Sequence, residues 1–429
     1  METLDKPLTK NIRPDRAFAT LADYESTGGY QGLRKALADL QPKDVQQWVK
    51  DAGLRGRGGA GFSTGLKWSL VPMDDLSQIR YLVANADEME PGAFKDRLLL
   101  EQDPHQLLEG MIIAAYAIQA NIAYIFMRGE YHLAAKRIEN ALQEARTKGY
   151  LGEHILNSEF NLQIYLHTSA GRYICGEETA LLNALEGKRA TPRAKPPFPL
   201  VSGLWGKPTV VNNVETLCNV PHILQNGVEW YQGLGRCSDH GTKLFGASGR
   251  VKHPGLWELP MGTPIREIIE QHAGGMRDGY NLRGFLPGGA STDFLLPEHL
   301  DVVMDFDAVA KAGSRMGTGT IIVLDDLTCP VQMVLNMEQF FAQESCGWCT
   351  PCRDGLPWTV TLLKDIIAGH GRIEDLDTLA GLTRMLGPGN TFCALAPGAM
   401  EPLQSALKYF RADFERYIIG SNAAAMENV

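Results

Sequence analysis

No stretch of this chain approaches the roughly 18 consecutive apolar residues that a bilayer-crossing helix needs. The longest candidate, near Met111 to Ala120, reads as the core of a short helix. Positive charge is in deficit as well: 41 Lys and Arg face 50 Asp and Glu, a formal net charge of −9. A sequence-independent nucleic-acid surface or an anionic-membrane surface wants the opposite balance. Cysteine is sparse, 8 in 429 residues. That is far below the density of a stapled secreted domain, and Cys175, Cys218, Cys237 and Cys329 stand singly, so a reducing compartment is expected. The opening Met1-Glu-Thr-Leu-Asp-Lys-Pro has neither an apolar signal region nor an arginine-rich, acid-poor transit segment. The 10 histidines are scattered, no Ser/His/Asp arrangement is visible, and no internal repeat or low-complexity tract is evident. With 44% hydrophobic residues over 429 positions, the chain is expected to be a soluble cytoplasmic protein or subunit of about two to four domains.

Four cysteines depart from that isolation. Cys346-Gly-Trp-Cys349-Thr-Pro-Cys352 overlaps two CxxC spacings on a shared middle residue, and Cys393 follows inside Gly387-Pro-Gly-Asn-Thr-Phe-Cys393. Three thiolates from one short turn aim into one small volume and a distant fourth completes the set, which is the ligand pattern of a cubane iron–sulfur cluster. A structural zinc site also takes four thiolates, but usually as two separate CxxC pairs set apart by a loop.

A glycine run opens earlier, with Gly56, Arg57, Gly58, Gly59, Gly61, Phe62, Gly65 and Lys67 following Gly53-Leu-Arg. Such a run lets backbone N–H groups crowd a phosphate or a ring carbonyl. Alone it is weak, because its spacing matches neither a dinucleotide fingerprint nor a Walker loop, and most glycine-rich stretches are plain loops. The residues after it strengthen it. Ile79–Asn85, Ile122–Met127 and Leu162–His167 read as strands; Pro104–Ala120, Tyr131–Lys148 and Glu177–Glu186 read as helices. Alternation of this kind predicts an α/β fold, a parallel sheet covered by helices, with ligands at the carboxyl ends of its strands. Two polar clusters fall there: Asn85, Asp87, Glu88 and Glu90, then Tyr173, Gly176, Glu177 and Glu178. An acidic pair after a strand ordinarily caps the next helix; two such clusters at one sheet edge can also accept ribose hydroxyls or a carboxamide N–H. Beyond the Pro-rich stretch containing Phe198, Asn212, Asn213 and Thr216 read as a helix start able to favour an anionic phosphate.

Five motifs together make the sequence resemble the family of flavin-carrying, NADH-oxidising 51 kDa (F) subunits of bacterial respiratory complex I. They are GLRGRGGAGF at Gly53–Phe62, NADEMEPG at Asn85–Gly92, GRYICGEETALLNALEG at Gly171–Gly187, NNVETL at Asn212–Leu217, and ESCGWCTPC with Cys393. The likeness runs from about Leu33 to Phe414. One departure is Leu70, where some members carry an aromatic beside the adenine; Phe62 and Trp68 are expected to remain available for stacking.

The resemblance implies a Rossmann-like domain, a small ubiquitin-like (SLBB, β-grasp) α+β domain and a C-terminal four-helix bundle. The expected boundaries are 1–60 for an N-terminal segment, 61–240 for the FMN/NADH domain, 241–329 for SLBB and 330–429 for the bundle. It implies non-covalent FMN, NADH/NAD and a [4Fe-4S] cluster on Cys346, Cys349, Cys352 and Cys393. FMN is expected among the Gly56–Gly65 loop, Lys67, Asn85, Asp87, Gly176, Glu177, Asn212, Asn213 and Thr216, with Arg57, Glu88 and Tyr173 in the same set. NADH is expected to stack on Phe62 and Phe198, to meet Glu90 at its carboxamide and Glu178 at its adenosine-side ribose, with Glu90 and Glu177 the residues closest to the chemistry. On that likeness hydride is expected to pass from nicotinamide to flavin, and electrons singly from flavin to the cluster. The implied partners are a [2Fe-2S] thioredoxin-like protein and a large multi-cluster protein of the peripheral arm, which tie the chain to the inner side of the cell membrane. The alternative is the flavin subunit of a soluble NAD-dependent formate dehydrogenase or NAD-reducing hydrogenase, whose additional cysteine sets this chain lacks.

Overall fold

The computed structural model describes residues 5–426 apart from 14, 16 and 76. They form two compact units. The first takes the chain up to Met89, then Ala93–Phe245 and Leu256–Thr263; the second takes Glu90–Gly92, Gly246–Gly255 and everything from Pro264 on.

The first unit is built on a four-stranded, all-parallel sheet of β1 (Tyr81–Ala86), β2 (Ile122–Met127), β3 (Gln163–Thr168) and β4 (Thr209–Asn213) in the order β3-β2-β1-β4. The apolar run of β1 is buried at every position but Asn85, as a central parallel strand covered on both faces requires. The helix Pro104–Ile118 is buried along its whole length except Tyr116. It crosses the helix Val214–Asn226 at Gly110, where a Cβ would come within 2.1 Å of the Leu217 carbonyl. The expected strands and helices of this unit appear within two residues of their expected ends. β4 is an addition to them: its five residues end in Asn212-Asn213 and run straight into a helix, so only the helix start is visible in sequence.

In the second unit, β8 (Thr320–Asp325) is an inner strand of its sheet. It pairs in parallel with the last residues of β5 (Thr242–Ser248), through Gly246, Ala247 and Ser248, and antiparallel with β7 (Leu282–Leu286), a strand that the sequence pattern does not disclose. Val251 makes only an isolated bridge, to Met276, and β6 (Gly255–Pro260) has all but its first residue in the first unit. Five helices follow: Pro330–Glu344, Thr350–Ile367, Ile373–Met385, Leu395–Tyr409 and Arg411–Met426. The helix Thr350–Ile367 starts directly after Cys349, because Pro351 fits its first turn and Pro357 is tolerated inside it. The stretch Leu395–Met426 is not one continuous helix. It breaks at Phe410, whose ring is buried edge-on to Phe294 at 5.4 Å.

Four buried charges tie the first unit together behind the strand ends. Lys95 Nζ lies 2.7 Å from Asp96 and 2.8 Å from Glu215, and Lys243 Nζ lies 3.0 Å from the same Glu215 oxygen. Glu215 also accepts the Leu244 N–H at 2.7 Å. Burial alone would push Glu215 up, but the two ammonium groups hold its carboxyl down to about 2. Replacing Glu215 by Gln leaves two buried cations without a shared anion, a loss of about 3–5 kcal/mol readable by denaturant titration. The native carboxylate's contribution is present above its ordinary value of 4.5 and lost as pH falls through about 2. The stability gap between native and Glu215→Gln protein should therefore close across that window.

Candidate functional site

The order β3-β2-β1-β4 reverses its winding between β1 and β4, and ligands of such sheets bind at the carboxyl ends of the strands flanking that reversal. Here the register sets Asn85 directly opposite Asn213 and Ala84 opposite Asn212. Asn85 Nδ2 donates to the Gly176 carbonyl at 3.0 Å and its Oδ1 accepts the Asp87 N–H at 3.1 Å, so one side chain ties the end of β1 to the turn Tyr173–Gly176. A Cβ on Gly176 would meet nothing nearer than the Asp87 carbonyl at 3.8 Å, so the space above it is open to a ligand.

The glycine loop is a closed turn. The Gly56 N–H donates to the Phe62 carbonyl and the Thr64 N–H to the Leu54 carbonyl, both at 2.8 Å, with Gly59 and Gly61 at positive φ. Arg57 anchors the loop: its N–H donates to Thr216 Oγ1 at 2.8 Å and its buried guanidinium reaches the Tyr231 hydroxyl and the His240 carbonyl. Gly58 lies over β4, where a Cβ would stand 3.0 Å from that of Asn213. Beyond the loop, Lys67 Nζ donates to Glu178 at 3.1 Å and to the Val211 carbonyl at 2.8 Å. The expectation that Trp68 is available for stacking does not hold. It is fully buried, and its indole N–H donates to Asn212 Oδ1 at 2.9 Å. Phe62 and Phe198 are instead the exposed rings, at 52% and 55%.

Each acid has a distinct setting. Glu177 is the N-cap of the helix Glu178–Leu185, accepting from the Thr179 and Ala180 N–H groups at 2.9 and 2.8 Å, as an acidic residue after a strand ordinarily does. Burial alone would raise the Glu178 carboxyl, but Lys67 and Lys195 outweigh it and hold it below its ordinary value. Lys195, which bonds Glu178 at 2.7 Å and lies 3.6 Å from Glu177, is absent from the sequence reading: one basic residue before a proline pair carries no periodic signal. Glu88 turns inward, accepting the Asp96 and Arg97 N–H groups at 3.0 Å and the Tyr131 hydroxyl at 3.1 Å; burial, then Asp96, pushes it up to about 7. Asp87 accepts from Ser169 Oγ at 3.1 Å. Asn213 caps the helix Val214–Asn226 and donates to Asp96 at 2.6 Å. Lys95, behind it, is equally silent in sequence, since Lys-Asp-Arg at a helix start reads as a solvated face. Glu90 belongs to the second unit, where it accepts the Ser291 N–H at 2.6 Å.

The three cysteines of the overlapped motif and Cys393 are also in the second unit, none of them in a disulfide. Gly347 at φ +73° makes the turn between Cys346 and Cys349, Cys349 is the N-cap of the helix Thr350–Ile367, and Cys352 lies in that helix's first turn. Burial pushes the Cys352 thiol up to about 11, against a bond from Ser345 at 3.2 Å and with Cys349 and Cys346 adding to the rise. The edge-on pair Trp348 and Phe392, centroids 6.2 Å apart, brings the Cys393 loop against the first three cysteines. Among the described residues no trio of His, Cys, Asp or Glu is set for a single bare ion. A cubane interposes its own sulfides between its ligands, and this donor set, thiols from one turn plus one facing loop, suits it.

Residues 49–222 match the family described as the Nuo51 FMN-binding domain, 246–295 the SLBB domain, and 332–417 the NADH-ubiquinone oxidoreductase-F iron-sulfur binding region. The F subunits of NADH-quinone oxidoreductase from Salmonella typhimurium and from Escherichia coli are each 60% identical over 409 residues, 95% of this chain and 92% of the relative. A crystal structure of NAD+-reducing [NiFe]-hydrogenase in the H2-reduced state superposes with a TM-score of 0.83 at 35% identity, covering 94% of this chain and 67% of that one.

Trp68→Phe keeps the core filled but leaves the buried Asn212 oxygen without its donor. It should cost about 1–3 kcal/mol in thermal or denaturant unfolding. A variant as stable as the native protein would contradict the bond's assigned role.

Proposed function

The chain belongs to the family of NADH-quinone oxidoreductase F subunits, and from that premise we infer that it is the NADH dehydrogenase subunit of respiratory complex I, with FMN, a [4Fe-4S] cluster and a site for NADH. One observation carries this reading. The glycine loop, the Asn85 segment, the Gly176 turn and the Asn212-Asn213 segment, far apart in sequence, converge on the carboxyl ends of β1 and β4. Bound FMN supplies a ring that takes hydride from NADH and yields electrons one at a time.

The chain's own residues bind and orient. The backbone of Gly56, Gly58, Gly59, Gly61 and Gly65, with Lys67, Asn85, Asp87, Gly176, Glu177, Asn212, Asn213 and Thr216, holds the flavin. The N-terminus of the helix Val214–Asn226 suits its phosphate. Arg57 and Glu88 serve through the frame, since their charged ends are bonded to Tyr231, His240, Asp96 and Arg97, and Tyr173 stands in the turn that carries Gly176. Phe62 and Phe198 stack on the adenine, Glu178 accepts the adenosine-side ribose hydroxyls, and Glu90 accepts the carboxamide N–H. No protein acid or base is needed; Glu90 and Glu177 fix geometry beside the reacting rings. Cys346, Cys349, Cys352 and Cys393 ligate the cluster. In this reading 1–60 is an N-terminal segment with the start of the glycine loop, 61–240 the FMN/NADH domain, 241–329 the SLBB domain and 330–429 the cluster-binding bundle.

Electrons leave to other proteins of a peripheral arm, a [2Fe-2S] thioredoxin-like subunit and a large multi-cluster subunit being the partners of this reading. Among the described residues no helix is long and apolar enough to cross a membrane, so attachment to the cytoplasmic face of the cell membrane runs through those partners. The hydrogenase likeness favours a second reading, a flavin subunit of an NAD-reducing hydrogenase, but at 35% identity against 60%. Co-purification with its neighbours, flavin content and NADH:ferricyanide activity test both. Complex I partners with bound FMN are expected, hydrogenase or formate dehydrogenase partners would replace the assignment, and flavin-free protein would remove it.

A carboxylate at the ribose repels a 2′-phosphate. Glu178→Gln should lower the preference for NADH over NADPH in kcat/KM by roughly tenfold or more. An unchanged ratio would contradict the placement of the ribose at Glu178.

A further inference from the structure

Within the second unit, the segment Glu90–Gly92 lies on the loop Gly288–Ser291. The Ala290 N–H donates to the Pro91 carbonyl at 3.1 Å, and the Ser291 N–H to Glu90 Oε1 at 2.6 Å. Gly289 has φ +106°, and a Cβ there would stand 2.7 Å from Glu90 Cγ, so only glycine lets the carboxylate settle on the loop. One arginine fixes the loop from its other side. Arg315 Nη2 donates to the Ser291 carbonyl at 2.5 Å, and Nε to Glu401 Oε2 at 2.7 Å. Glu401 stands on the helix Leu395–Tyr409, whose Gly398 is packed so closely that a Cβ would be 3.2 Å from both Arg315 Nη2 and Ser291 Cβ. That helix begins at Leu395, next but one after Cys393. Contacts therefore run unbroken from the helix following the fourth cysteine, through Glu401, Arg315 and Ser291, to Glu90.

We propose that Arg315 and Glu401 are positioning residues for NADH oxidation, locking the Gly288–Ser291 loop so that the Glu90 carboxylate is fixed for the nicotinamide carboxamide, and that they couple this carboxylate to the helix following Cys393. The proposal rests on the reading of Glu90 given above. The planar guanidinium spans a carbonyl and a carboxylate at once, which an ammonium group does not reproduce. The charged and titratable groups facing Glu401 are Arg315, Asp293 and Glu90. Burial pushes its carboxyl up to about 7, Arg315 pulls it down, and the two acids add to the rise. Asp293, held by Gln404 and near Arg315 and Lys408, is itself pushed up to about 6 by burial. As pH falls through about 7, Glu401 takes a proton and its charge pairing with Arg315 is lost.

The test uses the protein co-purified with its partner subunits and reads KM for NADH, kcat and FMN content. Arg315→Met should raise KM roughly tenfold, with kcat and flavin content held within about twofold. Wild-type KM should rise as pH falls from about 8 to about 6, and Glu401→Gln should flatten that rise. Glu90→Gln combined with Arg315→Met should be no worse than Glu90→Gln alone, the non-additivity expected of residues acting through one another. If Arg315→Met leaves KM unchanged while Glu90→Gln raises it, or if the two effects add in full, the positioning role is wrong and the Glu90 reading survives. If Glu90→Gln leaves KM for NADH unchanged, the Glu90 reading itself fails and this proposal goes with it. Should Arg315→Met not fold, Arg315→Lys carries the same comparison, with an intermediate KM expected and a wild-type KM overturning the role.

Discussion

The parallel pairing of β1 with β4, with Asn85 set against Asn213, is the constraint on which the first unit depends. The sheet could continue outward from β2 and β3; instead β4 joins the other side of β1, and the strand ends there carry polar residues. Everything that shapes the crevice refers to that pairing. Trp68 holds Asn212, Arg57 hangs the glycine loop on Thr216, Lys67 bonds the Val211 carbonyl of β4, and Asn85 ties the Gly176 turn to β1. Behind them Lys95, Asp96, Glu215 and Lys243 are buried with balanced charge. A lone ion at that depth would be prohibitive, and a network of two cations and two anions is tolerable only while every member is present.

What is legible in the sequence divides along physical lines. Continuous apolar runs disclose β1, β2 and β3, because a strand buried on both faces needs them. β4 escapes because its short run ends in two asparagines. The cysteine set is legible as a candidate from spacing alone, since three thiols drawn together by one turn are a local matter. Phe62 and Phe198 are expected as available rings, and both are exposed. Trp68 is misjudged by sequence: its neighbourhood along the chain is the glycine loop, but its neighbourhood in space is the core under β4. Lys95, Lys195, Arg315 and Glu401 are invisible for a common reason. Each acquires its meaning from a distant partner or from a single tertiary packing, as Lys95 does from Glu215 and Arg315 from Glu401. Glu177 has two readings, cap and ligand, and it is a cap by geometry while its other oxygen faces Lys195.

The two units carry different groups of polar side chains. The first offers an open, glycine-lined crevice with an anion-favouring helix N-terminus and an acid kept ionised by two lysines, suited to nucleotides. The second offers thiols clustered at a helix start and a facing loop, together with the carboxylate of Glu90 on a stiffened turn. A chain built this way converts a two-electron donor into a one-electron source and needs a further carrier to receive the product. Its relatives are themselves named as parts of a larger oxidoreductase, in keeping with that need.

The most direct test of this account is low-temperature EPR of the co-purified protein reduced with NADH, for the native chain and Cys349→Ala. A cubane cluster signal is expected in the native protein and should disappear in the variant while FMN content and NADH:ferricyanide activity persist. A spectrum unchanged by the substitution would contradict it.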